Sequence, residues 1–503
     1  MSEPLDLFVV GGGINGAGIA CDATGRGLKV GLCEMHDFAS ATSSASSKLI
    51  HGGLRYLEHY EFRLVRESLM EREVLLAKMA HIAWPLRFVL PHEPHLRPAW
   101  MLRLGLFIYD HLNLRMKLPK TETVDLERSP YGAGLKPGFH KGFVYSDGWV
   151  DDARLVIGNL RSARDRGAEI HARHRCISAH RTDGLWAVEL EETETGQRKT
   201  LQARGLVNAS GPWVKSWLTH VDGVDTRKRV KLVKGSHIVV PKLHDGEHAF
   251  ILQNSDQRIV FVIPYQRDFS LIGTTDIALD GVEPGPVKIS PEEVTYLCDL
   301  ANHYMARQIG PDDVVWTYSG VRPLFDDGSD NASEVTRDYV LEIDDDSGKA
   351  PLLSVFGGKI TTYRRLAEHA LEDLRRYYPD MGEPWTHREP LPDGEMPYAD
   401  FELFVSGLEK AYPKMPPVFL HRLARRHGTG SADVLGEAKT TEDLGRHFGG
   451  DLYEREVDHL MRDEWAREPE DVLWRRTKEG LHMSLAEREA FAEWMRARRR
   501  NAA

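Results

Sequence analysis

The first apolar segment of the chain, LDLFVV over residues 5–10, is broken only by Asp6 and has the length of a strand buried in a parallel sheet. It runs directly into GGGINGAGIACDATGRG, where small residues open a helix containing Ala17 to Thr24. A second strand over residues 29–33 ends at Glu34. Two later segments repeat the pattern of strand, small-residue turn and helix: GLVNASGPWV at 205–214 and LLSVFGGKITTYRRLAEHAL at 352–371. Between 216 and 340 the rhythm changes to short β signals, SHIVVP, AFILQ, IVFVIPY and FSLIGTTD, which predict an antiparallel sheet. Residues 76–149 read as mixed helix and loop. PDGEMPYAD at 392–400 reads as a linker, and the remainder as amphipathic helices rich in Arg, Glu, Leu and Trp.

These patterns predict an α/β protein. A discontinuous nucleotide-binding domain of Rossmann type takes residues 1–75, 150–215 and 345–385. A substrate-binding or capping domain takes 76–149 and 216–344, its antiparallel sheet roofing the cofactor, and a helical C-terminal domain takes 390–503. At 503 residues the chain exceeds what one hydrophobic core usually spans, which agrees with this division. The formal net charge of −11 supplies no cationic field for collecting phosphates and argues against nucleic-acid binding. The four cysteines, Cys21, Cys33, Cys176 and Cys298, stand far apart without metal-ligand spacing. No metal is expected, and a reducing compartment suits them. The N-terminus has no basic, apolar leader, and no run of about 18 apolar residues predicts a membrane span.

Gly11, Gly13 and Gly16 form GxGxxG between the first strand and helix. Such glycines permit the tight turn, the close approach of a pyrophosphate and close helix–strand packing, and the helix N-terminus offers its dipole and free N–H groups. Glu34 stands 18 residues after Gly16, where an acid hydrogen-bonds an adenosine ribose and disfavours a 2′-phosphate. Ile14 and Asn15 complete the turn. The two later turns favour FAD over NAD. Ser210, Gly211 and Trp213 open one helix, and Gly357, Gly358, Lys359, Ile360, Thr361 and Thr362 open another, whose dipole suits negative charge at the N1/C2 edge of a reduced flavin.

ATSSASSKLIHGGLRYLE at 41–58 follows the ribose acid. Small hydroxyl residues let the backbone approach a cofactor and offer donors, so Thr42, Ser43, Ser46 and Ser47 are expected along the pyrophosphate and ribityl chain, with Lys48 adding a cation. His51 and Gly52 would pass beneath the ring edge.

Together with WVDDARLV, KGSHIVVP, IGTTD, TYSGVRPL and VFGGKITTYR, these segments resemble the FAD-dependent, aerobic respiratory glycerol-3-phosphate dehydrogenases of bacteria, and more broadly the glycine-oxidase and D-amino-acid-oxidase-like flavoenzymes. The resemblance runs to about residue 370 and weakens beyond. It implies oxidation of sn-glycerol 3-phosphate to dihydroxyacetone phosphate by hydride transfer from C2 to flavin N5. It also implies electron delivery to a membrane quinone, and a homodimer bound peripherally to the inner, cytoplasmic face of the cell membrane. An amino-acid or 2-hydroxy-acid oxidase on the same fold is the alternative.

That chemistry needs cations for a phosphate dianion and a base for a hydroxyl. Arg55 and Arg322, with Tyr56 as a phenolic donor, are expected on the phosphate, and Thr274 and Thr275 on the substrate hydroxyls. His237 and Lys359 compete as the base. Asp151 and Asp152 are expected to stabilise a helix N-terminus. In PAWMLRLGLFIYDHLNLRMKLPK (98–120), Trp100, Met101, Leu104, Phe107, Ile108 and Leu112 share a helical face with Arg103, Arg115, Lys117 and Lys120 nearby; such a stripe packs into a core or lies in a lipid interface.

Overall fold

The computed structural model describes residues 3–93, 97–113, 117–224, 226, 228–254, 258–279, 281–326 and 338–502; at Arg55, Glu58, His59, Asn501 and Ala502 it describes the backbone alone. Leu5–Val10 pairs in parallel with Val30–Glu34 on one side and Arg198–Asn208 on the other. Glu169–Ala172 and Lys349–Gly357 extend this parallel sheet at its two ends. The helices Ile14–Gly25, Asp152–Asp165 and Tyr363–Leu374 pack together against it, burying Leu7, Val9, Ile19, Val156, Leu160, Leu366 and Leu371 in one core. On its other side His174–Thr182 and Leu185–Glu192 form an antiparallel ribbon with Arg198–Asn208, closed by Trp186 and Trp217. Strands from three widely separated stretches of sequence therefore build one nucleotide-binding sheet.

Among the described residues the second sheet has ten strands. Val230–Pro241, Ala249–Gln253, Ile259–Tyr265, Phe269–Gly273 and Trp316–Phe325 pair antiparallel in it. It also takes in Ala83–Pro91 and Lys141–Val150, which pair antiparallel from Ala83 opposite Val150 to Pro91 opposite Gly142. Helix and loop were expected there, so this corrects the sequence reading. Pro85 and Pro91 sit near the two ends of this strand, where lost ladder bonds matter least. The serine-rich stretch ends in Leu49–Ile50, which pairs with Lys141–Val150 and so ties the nucleotide-binding loop to the second sheet.

Beyond residue 400 the chain is mostly helical, with one short hairpin at His447–Gly449 and Leu452–Tyr453. This region is anchored on the nucleotide-binding domain by buried ions. Asp37, at the end of the second strand's loop, accepts from both terminal nitrogens of Arg476 at 2.7 and 2.8 Å and from Arg475. Arg154 donates to Glu464 at 2.6 Å, and Lys478 pairs with Asp151. Among the described residues, no helix is long and apolar enough to cross a membrane.

The helix Ala99–His111 sorts its apolar residues onto two faces. Leu106 and Tyr109 are buried, whereas Trp100 is 66% exposed and Phe107 56%, with Met101 and Leu104 beside them. The core explanation of this stripe therefore holds for only part of it.

Candidate active site

A cavity of about 520 Å³ runs along the C-terminal ends of the parallel strands into the space beneath the second sheet. One end is walled by Cys33, Glu34, His174, Cys176, Trp217 and His220, the other by His51, Tyr56, Arg322 and Lys359. Gly11, Gly13, Ile14 and Asn15 line its middle, where the first strand turns into its helix. A side chain at Gly11 would place its Cβ 2.5 Å from the Ala209 carbonyl oxygen, and one at Gly16 would lie 2.0 Å from that of Gly11. The glycines are thus required by packing of this turn against the neighbouring strand, with Gly16 acting behind the cavity wall. Glu34 accepts from the Gly12 N–H at 2.8 Å and the His36 N–H at 2.9 Å; burial raises its carboxyl despite these donors. Asn15 donates to the Gly357 carbonyl while its own Oδ1 has no hydrogen-bond partner.

The hydroxyl residues after Glu34 line the same cavity, each with a protein partner. Thr42 donates to the Val321 carbonyl at 2.6 Å, and Ser43 accepts from the Ile14 N–H at 2.9 Å. Ser46 donates to Asp152 at 2.7 Å, and Ser47 lies 2.9 Å from His237 Nε2. Ser210, Gly211, Trp213, Gly357, Gly358, Lys359, Ile360 and Thr361 face the cavity from the two later turns. Gly357 and Gly358 hold φ of 81° and 99°, which lets the strand break sharply before the 3₁₀ turn Ile360–Thr362 and the helix behind it.

At the far end Arg322 donates from Nη2 to Thr274 Oγ1 at 2.9 Å and pairs through Nη1 with Asp276. Lys359 Nζ lies 4.9 Å from the Tyr56 ring centroid. The His51 N–H donates to Thr361 Oγ1 at 3.2 Å. Arg55 lies in the 3₁₀ turn Leu54–His59, and its side chain is outside the described residues.

Seven expected ligands do not line the cavity; Gly16 stands behind its wall, and Thr274 is held by Arg322 beside it. Lys48 is 1% exposed and spends its charge on Asp152, 2.7 Å away; its φ of +59° turns the side chain inward. Gly52 is buried, its N–H donating to Tyr109 at 2.8 Å above the Asp147–Arg72 pair. Thr275 donates to Glu293 at 2.8 Å and accepts from the Ser236 N–H, on the opposite side of the chain from Thr274. Thr362 is buried at the start of Tyr363–Leu374. His237 is also buried, behind Ser47. Asp151 caps its helix by accepting from the Arg154 N–H at 3.1 Å, as expected, but Asp152 also anchors Ser46 and Lys48. Sequence reasoning missed Asp276 and Tyr318. The latter follows from alternation in TYSGVRPL, where residues 318, 320 and 322 share one face.

Among the described residues, His427, His459 and Glu464 bring ligand atoms within 4.8 Å of one another in the C-terminal region. Arg154 already holds Glu464 and Arg161 approaches it at 3.9 Å, so guanidiniums supply there the charge a cation would bring.

The model of the FAD-dependent oxidoreductase family matches residues 6–364. The chain belongs to that family. The oxidoreductase is 53% identical to the D-erythritol 1-phosphate dehydrogenase of Brucella abortus (strain 2308), with 98% of each chain covered. It is 52% identical to the aerobic glycerol-3-phosphate dehydrogenase of Escherichia coli (strain K12), over 98% of this chain and 97% of the relative. The solved structure of the Bacillus halodurans glycerol-3-phosphate dehydrogenase complexed with FAD superposes with a TM-score of 0.77 at 27% identity, covering 98% of this chain and 90% of that one. FAD is the cofactor, and the cavity fits it. The glycine turn would hold the pyrophosphate, Glu34 the ribose, and the turn before Tyr363–Leu374 the flavin edge. Because the clash at Gly16 is with backbone, Gly16→Ala in the flavoprotein is expected to purify without yellow colour. A full flavin spectrum from that variant would refute the packing argument.

Proposed function

We propose that this flavoprotein oxidises sn-glycerol 3-phosphate to dihydroxyacetone phosphate, with hydride leaving C2 for flavin N5 and electrons passing on to a membrane quinone. The observation that carries this reading is Arg322 lining the cavity together with Lys359 and Tyr56. A guanidinium and an ammonium suit a phosphate dianion, and the Thr274 hydroxyl fixes the guanidinium's orientation. When bound, the flavin supplies the two-electron acceptor; the chain's own residues bind the phosphate, orient the carbinol and shield it under the second sheet.

The Brucella relative favours a second reading, a four-carbon polyol phosphate as substrate. Anaerobic mixing of the holoenzyme with glycerol 3-phosphate, erythritol 1-phosphate, glycine or lactate separates the cases. Rapid bleaching of the flavin by glycerol 3-phosphate is expected. Bleaching only by erythritol 1-phosphate would select the second reading, and bleaching by glycine or lactate an oxidase.

A quinone acceptor resides in the bilayer, and the exposed face of Ala99–His111, carrying Trp100, Met101, Leu104 and Phe107, suits an interfacial helix. We therefore place the enzyme, as a homodimer, on the inner face of the membrane with this helix against lipid.

A further inference from the structure

We infer that Ser47 is the group that hydrogen-bonds a substrate oxygen at the ring end of the cavity, and that His237 is a positioning residue acting through it. This rests on the reading of the cavity as a polyol-phosphate oxidation site.

Ser47 lines the cavity; His237 does not, and only 1% of it is exposed. The two meet at 2.9 Å, Oγ to Nε2. The imidazole has little room to move. Its plane stacks on Tyr318 at 4.7 Å and 18°, and Tyr318 stands directly across the strand pair from it. Its edge rests on Gly273, where a Cβ would come within 2.0 Å of Cδ2. Tyr318 is in turn pinned, its hydroxyl donating to the Ser46 carbonyl at 2.8 Å. Tyr318 also packs on Trp316 at 5.1 Å, and Trp316 stacks on Trp474 of the C-terminal region at 4.7 Å. A continuous run of ring contacts thus holds the histidine against the serine.

The hydrogen-bond pattern assigns the proton. His237 Nδ1 has no hydrogen-bond partner. A buried N–H without an acceptor is rarer than a buried lone pair without a donor, so the proton belongs on Nε2, where Ser47 Oγ accepts it. The serine's own O–H then cannot be spent on His237 and is directed to the cavity as a donor. Burial, with the Arg322 and Lys48 cations nearby, holds the imidazole well below the ordinary histidine range. Among the described residues no carboxylate hydrogen-bonds it; Ser47 and Tyr318 are its close partners. A neutral ring already protonated at Nε2 is not the acceptor of the substrate's hydroxyl proton, and its donation to Ser47 does not titrate through the neutral range.

The test is the limiting rate of anaerobic flavin reduction by the polyol phosphate that bleaches the wild-type holoenzyme, measured across pH. Ser47→Ala is expected to lower it about 10²-fold, the usual effect of removing one oriented donor. His237→Ala is expected to fall comparably, and the double variant no further. His237→Gln, whose amide N–H still reaches Oγ, is expected to stay within about tenfold of wild type and to keep the wild-type pH dependence. Multiplied losses in the double variant, or an altered pH dependence in His237→Gln, would overturn the proposal. So would a Ser47→Ala rate within about twofold of wild type. If Ser47→Ala does not retain flavin, the contrast between the Ala and Gln variants of His237 decides. Absence of bleaching of the wild type by any polyol phosphate would instead remove the substrate reading beneath it.

Discussion

Arg322→Ala is expected to lower kcat/KM for glycerol 3-phosphate by about 10²–10³-fold, while turnover of unphosphorylated glycerol changes little. The guanidinium is half-buried and already divided between Thr274 and Asp276. Removing it deletes the cation that a phosphate meets and leaves the Asp276 carboxylate uncompensated beside the incoming dianion. Breaking one side of such a desolvated pair costs about 2–5 kcal/mol, and each 1.36 kcal/mol is tenfold in rate. Asp276→Asn should act in the opposite sense, lowering KM by freeing the guanidinium for phosphate. Steady-state kinetics on both substrates decides the matter; equal losses on glycerol and glycerol 3-phosphate would argue against a phosphate role.

Asp37→Ala is expected to destabilise the docking of the C-terminal region by about 3–5 kcal/mol, because it leaves Arg476 buried without its main counter-charge. Thermal unfolding followed by both flavin release and far-UV circular dichroism should show a lower first transition. The pairing also predicts a direction with pH. Burial alone would raise the Asp37 carboxyl, but the Arg476 and Arg475 charges hold it below the ordinary aspartate value. A depressed aspartate contributes stability that is fully present above its unfolded value and is lost as pH falls through the folded one. Wild type should therefore lose C-terminal docking in acid below about pH 4, and the variant should lack that part of the dependence. An unchanged transition would show that Arg154–Glu464 and Lys478–Asp151 suffice alone.

The nucleotide half of the site was legible because its demands are local. Gly11, Gly13 and Gly16 are spaced by one tight turn, Glu34 ends the adjacent strand, and the serines follow within a few residues. The ring end was less legible. Thr274 and Thr275 are neighbours in sequence, yet one holds Arg322 and the other Glu293, because alternate positions of an extended chain face opposite ways. Lys48 looked like a phosphate cation until Asp152, over a hundred residues on, claimed it. Ala83–Pro91 read as helix or loop because its strand partner, Lys141–Val150, lies about fifty residues away.

By itself the sequence determined that a parallel-sheet dinucleotide site begins the chain, and that follows from short-range steric rules that glycine, small hydroxyl residues and a strand-end acid obey wherever they occur. The two later turns pointed to FAD, and the resemblance of whole motifs pointed to the family. Only the tertiary structure decided which charged and polar groups face the cavity and which are neutralised behind it. Exposure of a side chain depends on the strand register and ion pairs assembled from distant segments. His237 behind Ser47, Lys48 on Asp152 and Arg322 beside Asp276 are such outcomes, and no spacing in the sequence encodes them.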